Sequence, residues 1–426
     1  YTLKYQLTGR IDNNPFCIPL PDNNVLELAR NGHILRPQLK TDYFTKTFNV
    51  RYLREDEISA EAREHINTYW RGISKFDDEI LLLMKFFCYC FTGLTFHQVM
   101  LLMTGVSSGG KSKLCSIIET IMGDWGAAAP PGLIFGDEKP GGANPDVIFA
   151  IGKRLLMAQE SERNIPIKNG FIKRQVGQDS STDRGLFVGH FKFKLQTKYL
   201  RTSNDIPPFN WNDAAIIRRI IPFVFYTKFV SQKEYDMKMK ERTEYADLAA
   251  LDNQDSKELL QEECNINYAV KQEDLYETII QRYLNEFFSI IIHRAGRLIL
   301  ETGAFDEDNI PDSMKRRFRS KLNDSDPINS FFHNCLVVQD LRVKPEQRAA
   351  WIGPERLYSA YEDHFHQIVS DTKTIKIADR ATFADRISKL IGVEARKYYV
   401  KFPDGRTTTS KLYPVVLKTN NNSMID

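Results

Sequence analysis

The residues best spaced for chemistry are the octapeptide GVSSGGKS, Gly105 to Ser112. It satisfies G-x-x-x-x-G-K-[ST], a loop whose main-chain amides cradle phosphate oxygens. Gly105, Gly109 and Gly110 permit backbone conformations closed to other residues and let amides approach an anion. Val106, Ser107 and Ser108 contribute further N–H groups, and the helix N-terminus that follows adds its dipole. Lys111 brings a positive charge to the β- and γ-phosphates, and Ser112 offers a hydroxyl to Mg²⁺. The chemistry implied is binding of a nucleoside triphosphate, with ATP and Mg²⁺ as the expected cofactors.

Hydrolysis needs more than a cradle. Arg154-Leu155-Leu156-Met157-Ala158-Gln159-Glu160 is an apolar strand ending in a carboxylate. Glu160 is placed to hold the metal through water, and Glu162 to polarise the attacking water; the two roles can also be divided the other way. Lys198–Asn204 reads as a second strand, closed by Asn204, a side chain able to sense the γ-phosphate. Arg218 and Arg219 precede a third strand. An arginine delivered to a γ-phosphate stabilises transition-state charge, and one supplied by a neighbouring subunit would tie turnover to assembly. Surface pairing of either arginine with a carboxylate is the alternative.

These groups need elements to hold them. Val99–Met103 reads as the strand before the loop, and Ser112–Met122 as the helix after it, with Leu114, Ile117, Ile118 and Ile121 on one face. Strand-like runs at 98–103, 154–158, 198–202 and 220–226 alternate with helical ones, the pattern of an α/β core with a mostly parallel sheet. Ahead of it, Glu57–Trp70 and Asp77–Phe91 read as helices, with Gly93 as the C-cap of the second. Residues 231–277 are dense in charge and are expected to form an exposed connector, and Leu275–Leu300 one long amphipathic helix. Asp326-Pro327 opens a last unit. Helices at 354–369 and 381–391, then strands at 395–402 and 411–417 around a turn at Asp404-Gly405, outline a winged helix.

Composition bounds the rest. The chain has 426 residues, 42% apolar and 27% charged, ordinary for a globular protein of two or three domains. No run approaches the roughly 20 apolar residues of a membrane span. The six cysteines form no metal-binding spacing and are expected to be reduced, buried thiols. Net charge is +3, but residues 371–418 alone carry +6, a possible nucleic-acid footprint or an ordinary solvated basic face. The chain begins at Tyr1 rather than Met and is expected to be a piece of something longer.

The order of motifs resembles superfamily 3 helicases among the AAA+ ATPases, and more closely the poxvirus-type primase-helicases of large DNA viruses. The segment Asn31–Pro37 with Asp42-Tyr43 is similar to the stretch ahead of that family's motor. GVSSGGKS is similar to its phosphate loop, and Gln159–Glu162 to its acidic motif. Ile172-Lys173, Gly177-Gln178-Asp179 and Thr182-Asp183-Arg184 resemble its third motif, although Gly-Gly-Asp is frequent where Gly177-Gln178-Asp179 stands. Thr202–Pro207 resembles its sensor and Ile217–Ile220 its arginine motif. Asp326–Ile328 and Arg380–Phe383 resemble its C-terminal winged-helix region.

The resemblance implies an ATP-hydrolysing homohexameric ring that translocates 3′ to 5′ on single-stranded DNA, often behind a primase and with polymerase accessory proteins as partners. It implies no membrane, and an intracellular place at viral replication sites, in the cytoplasm rather than the nucleus. The expected layout is a collar-like oligomerisation region at 1–93, mainly helical. The AAA+ core at 94–230 and a charged, helical connector at 231–325 follow, and then the winged-helix-like domain at 326–426. A hairpin in this family projects into the ring channel. Here Gly189-His190 would be its tip, with His190, Lys192 and Lys194 on DNA phosphates. An ordinary half-buried strand, Phe191 and Phe193 inside, is the other reading. A nucleotide-gated DNA-loading module with little unwinding is the main alternative function. A metabolic kinase or packaging motor is a further one, disfavoured by the order of Asn204 and the arginine pair.

Overall fold

The computed structural model describes residues 11–134, 149–159, 168–176, 181–183, 191–193, 195–207, 214–250, 266–325, 327–368, 377–402 and 404–418. The chain divides into two compact units, residues 1–318 and 319–426.

The first unit is built on a five-stranded parallel sheet. Its strands are β4 (Met100–Gly105), β5 (Gly126–Ala128), β6 (Leu155–Ala158), β9 (Lys198–Thr202) and β10 (Ile220–Phe225), in the spatial order β10-β4-β9-β6-β5. All four pairings are parallel. The strand bearing the phosphate loop is therefore interior, and both its faces are buried. That explains why Met100-Leu101-Leu102-Met103 is apolar throughout rather than alternating. Leu101 and Met103 enter the larger core, and Met100 and Leu102 the smaller one on the opposite face. Pro222 sits in β10, which lies at the sheet edge, where a residue lacking an N–H is tolerated.

Ahead of the sheet, β1 (Cys17–Leu20), β2 (Asn24–Glu27) and β3 (Ile34–Pro37) form an antiparallel meander. Arg36 is bidentate on Asp42, at 2.8 and 3.0 Å, and holds its carboxyl below the usual range. Two helices follow, α1 (Ala60–Ile73) and α2 (Asp77–Phe91). Ser59 caps α1 by accepting from the Ala62 amide, so this helix starts later than Glu57. Gly93 is not the left-handed cap expected of it. Thr92 ends α2 in extended geometry, and a Cβ on Gly93 would lie 2.9 Å from Pro15 Cα. Glycine is required there by close approach of another chain segment.

Two buried cations meet the end of α2. Arg154, at the start of β6, donates to the Phe91 carbonyl at 2.7 Å and lies 4.1 Å from the Trp125 ring. Lys198, the first residue of β9, donates to the Thr92 carbonyl. Both side chains are buried, and burial lowers the basicity of each, Arg154 to about 9. Positive charge at a helix C-terminus answers its dipole and its unpaired carbonyls. At the other end of α2, the fully buried Glu79 accepts from Ser74 at 2.7 Å and is paired with Ser313 and Arg317 of α7 (Asp312–Ser325). Numbering in between runs α3 (Lys111–Met122), α4 (Gln232–Ala250), α5 (Glu273–Arg282) and α6 (Leu284–Ala295).

The long helix expected at 275–300 is broken. Tyr283 adopts φ −117°, ψ 24° between α5 and α6. Its ring lies 5.4 Å from His65 on α1, and the bend lets Phe287, Phe288 and Ile291 enter the core with α1 and α2. The 231–277 stretch also holds more than a connector: α4 leads to β12 (Asn267–Val270), which pairs parallel with β11 (Thr227–Val230). Between β6 and β9, β7 (Ser181–Asp183) pairs antiparallel with β8 (Phe191–Phe193). Among the described residues no helix is long and apolar enough to cross a membrane, and Cys17, Cys88, Cys90 and Cys115 are free buried thiols.

The second unit runs α8 (Pro327–Cys335), β13 (Leu336–Val338), α9 (Pro354–Ile368), α10 (Arg380–Ile391), β14 (Arg396–Lys401), β15 (Thr407–Leu412) and β16 (Val415–Leu417). Asp379 caps α10 through two amides, and Gly392 ends it at φ +78°. This is the winged-helix-like outline, with α8 added and the last strand interrupted at Tyr413-Pro414. Tyr361, Phe365 and Phe383 fill its core beside Phe331.

The Glu79–Arg317 pair generates a prediction. Glu79→Ala removes one partner of a desolvated pair and should destabilise the protein by about 3 kcal/mol or more in urea unfolding. The double change Glu79→Leu with Arg317→Met should recover most of it; a loss under about 1 kcal/mol for the single change would show that the pair does not hold α7.

Candidate nucleotide-binding site

The phosphate loop leaves β4 at its C-terminal end, where the ends of β9 and β10 also converge. The sequence folds this way locally because three residues there take positive φ: Gly105 at +118°, Ser108 at +58° and Gly110 at +91°. A Cβ on Gly105 would overlap the Phe225 carbonyl, and one on Gly109 would lie 3.0 Å from the Val106 oxygen. Gly110 is the N-cap of α3, which starts at Lys111. The loop is pinned by Val106 N–H to Phe225 O at 3.1 Å and by Phe229 N–H to Ser108 O at 3.1 Å.

Lys111 is buried, and its ammonium donates to the carbonyls of Gly105 and Val106 at 2.8 Å each and to Asn204 Oδ1 at 3.0 Å. Asn204 follows β9, whose Leu200 pairs with Leu101 of β4, and its carbonyl accepts from the Gly105 amide at 3.1 Å. The sheet thus brings together two groups 93 positions apart in sequence. Ser112 is exposed in the first turn of α3.

Beside the loop lies a cavity of about 770 Å³. Ser107 to Lys113 and Asn204 form one wall. Thr68, Tyr69, Gly72 and Ile73 of α1 form a second, and Phe229, Val270, Gln272, Leu275 and Tyr276 a third. At the rim, Lys113 Nζ stands 3.8 Å from the Tyr276 ring centre and 3.3 Å from Glu277, joining α3 to α5. Phosphate-binding amides and a lysine at one end, apolar and aromatic side chains at the other, suit a nucleotide. Glycine at 105 and 109 lets the loop lie close against Phe225 and Thr227, which holds its amides at the cavity wall. The sequence does not point to the third wall: 231–277 reads as an exposed connector, and the short apolar run Tyr268-Ala269-Val270 is its main signal.

Arg218 and Arg219 lie at the other end of the sheet. The Arg219 carbonyl accepts from the Met100 amide at 2.8 Å, whereas Gly105 stands opposite Phe225. The six residues of β10 separate the arginines from their own phosphate loop by about 20 Å at ~3.3 Å per residue. Arg218 is exposed; Arg219 is buried, with its guanidinium on the Ala215 carbonyl. Glu160, Glu162, His190 and Lys194 lie outside the described residues. Lys192 is in β8, opposite Thr182.

The chain is 26% identical over 233 residues to "Putative helicase L207/L206" of Acanthamoeba polyphaga mimivirus, covering 54% of this chain and 24% of that protein. It is 27% identical over 236 residues to "Putative helicase 121R" of Invertebrate iridescent virus 3, covering 52% and 25%. The chain thus spans about a quarter of the length of these curated relatives. Among solved structures, the apo NrS-1 C-terminal region is similar at 13% identity and a TM-score of 0.41, over 93% of this chain and 84% of that one. No family model matches.

The Lys111–Asn204 contact yields a paired expectation. Lys111→Ala should abolish both nucleotide binding and hydrolysis. Asn204→Ala should retain nucleotide binding, by fluorescent-analogue titration, and lose about 100-fold or more in turnover. Unchanged turnover in either variant would remove that residue from the site.

Proposed function

We propose that this chain is the motor of an ATP-dependent viral DNA helicase of superfamily 3, acting as a ring of six copies on single-stranded DNA. In this reading it forms the helicase part of a primase-helicase, with residues 1–93 as a collar that helps close the ring. The two viral relatives, both named helicases, support the class. The observation that carries the reading furthest is the separation of the arginine pair from its own phosphate loop. Arg218, exposed at the opposite end of the sheet, is suited to reach the nucleotide of an adjoining copy and useless to its own.

ATP would be held by the Gly105–Ser112 amides and Lys111, with Ser112 and Glu160 on Mg²⁺, which supplies charge neutralisation at the phosphates. Asn204 and Lys111 orient the γ-phosphate end, Glu162 or Glu160 activates water, and Arg218 or Arg219 of the next copy stabilises the charge that develops. The hairpin of β7 and β8, with His190, Lys192 and Lys194, would track the DNA backbone in the channel.

Mixing tests the shared site. Lys111→Ala and Arg218→Ala/Arg219→Ala proteins should each be nearly inactive alone. Combined in equal amounts, they should regain roughly a quarter of wild-type turnover, the statistical share of interfaces pairing an intact loop with an intact arginine. No recovery, with mixed oligomers demonstrated by co-purification of differently tagged variants, would place the activating arginine elsewhere. A forked-DNA strand-displacement assay separates a motor from a loading module, which would bind and hydrolyse without displacing a strand.

A further inference from the structure

The hairpin of the second unit carries a surface that the nucleotide site does not use. Strands β14 and β15 pair antiparallel from Arg396↔Leu412 to Lys401↔Thr407. One face of this ribbon is core: Val400 and Leu412 are buried with Trp351, and Tyr398 packs on them. Strand alternation puts Lys397, Tyr399, Lys401, Thr407, Thr409 and Lys411 on the other face, and all six are exposed.

Two features of that face serve no folding purpose. Lys397 stands directly opposite Lys411, and like charges in that position weaken strand pairing. Among the described residues the hairpin's ion pairs are Lys401 with Glu346 at 3.3 Å and Arg406 with Asp404 at 2.6 Å. Both lie toward the turn, and neither answers the opposed lysines. Tyr399, midway between Lys397 and Lys401, is 52% exposed. Its ring covers no core, since the core is on the other side of the ribbon.

A partner that explains both features must be anionic and must offer flat apolar faces. Nucleic-acid phosphates answer the lysines, and an unpaired base answers the ring. The two lysines of β14 are four residues apart, about 13 Å along the strand, with the aromatic between them. An acidic peptide would neutralise the lysines and leave the tyrosine idle. Paired bases in a duplex keep their faces stacked on one another.

We infer that the outer face of the β14–β15 hairpin binds single-stranded nucleic acid, with Lys397 and Lys411 on backbone phosphates and Tyr399 stacked on a base. The surface needs no nucleotide in the cradle and stands apart from the reading of the motor.

The test is titration of a fluorescein-labelled 30-nucleotide oligothymidylate with the full chain, without nucleotide, at several salt concentrations. Lys411→Glu converts the opposed lysines into an attractive pair, so its melting temperature should hold or rise. Its affinity should nevertheless fall about tenfold or more, with the salt slope smaller by about 1. Tyr399→Ala should weaken binding about tenfold with the salt slope unchanged, because stacking releases no counterions. A 30-base-pair duplex should bind more weakly than the oligothymidylate. Wild-type affinity in both variants, or no binding by the wild type, would overturn the inference. So would duplex binding as tight as single-strand binding with Tyr399→Ala without effect. ATP turnover without DNA should be the same in both variants as in the wild type. Should the wild type prove to have no turnover, the motor reading falls and the titration still decides the hairpin.

Discussion

Residues 11–92 and the five-stranded sheet form one body because two buried cations end a helix. The C-terminus of α2 arrives with carbonyls that no further turn can satisfy. Arg154, the residue before β6, and Lys198, the first of β9, meet them. Each cation loses hydration on burial, which is why its basicity falls. What it gains is a set of oriented carbonyls and, for Arg154, the face of Trp125 at 4.1 Å. Neither strand could start elsewhere without uncovering a charge. The two contacts therefore fix the level at which β6 and β9 begin, and with it the level at which they end. Asn204 follows one of those ends, and residue 160 the other.

Parallel order then decides what each end of the sheet can do. All five strands run the same way, so the loop, Asn204 and the strand end before residue 160 gather at one edge. The residues that precede β10 are carried to the other. No side-chain rotation undoes a displacement of six strand residues. An arginine pair at that position is structurally excluded from the nucleotide of its own chain. A sheet of this topology holds the Gly105–Ser112 loop and the arginine pair at opposite ends.

Much of this was legible in the sequence. The loop octapeptide dictates its own conformation, since Gly105 and Gly110 occupy geometry that other residues resist. The helix Asp77–Phe91 and the strand Lys198–Thr202 have the bounds expected of them, because long apolar runs leave little freedom of register. The illegible parts are those set by tertiary contact. Nothing local marks Tyr283 as a break: no glycine or proline is near, and the bend comes from packing against α1. Gly93 looks like a cap and is instead a crossing point with Pro15. Nothing in the sequence marks Lys198, a charge at the head of a strand, as buried; the carbonyls of Thr92 and Gln196 account for it. The acidic residues at 160 and 162 and most of the 181–194 hairpin rest on the sequence alone.

The cavity's third wall changes how the site can open. A loop and its following helix would leave a nucleotide half exposed. Here β12 pairs with β11, the strand that continues from the sheet edge, and α5 closes against α3 through Lys113. The contacts at that rim are an exposed ion pair and a cation on a ring, each worth little in water. The contacts at the floor, Lys111 on two carbonyls and Asn204, are buried or part-buried. Any opening that admits a nucleotide must therefore be easier at the α5 rim than at the loop. The 267–277 segment and α1 line the cavity away from the loop, on the side opposite the Lys111 contacts.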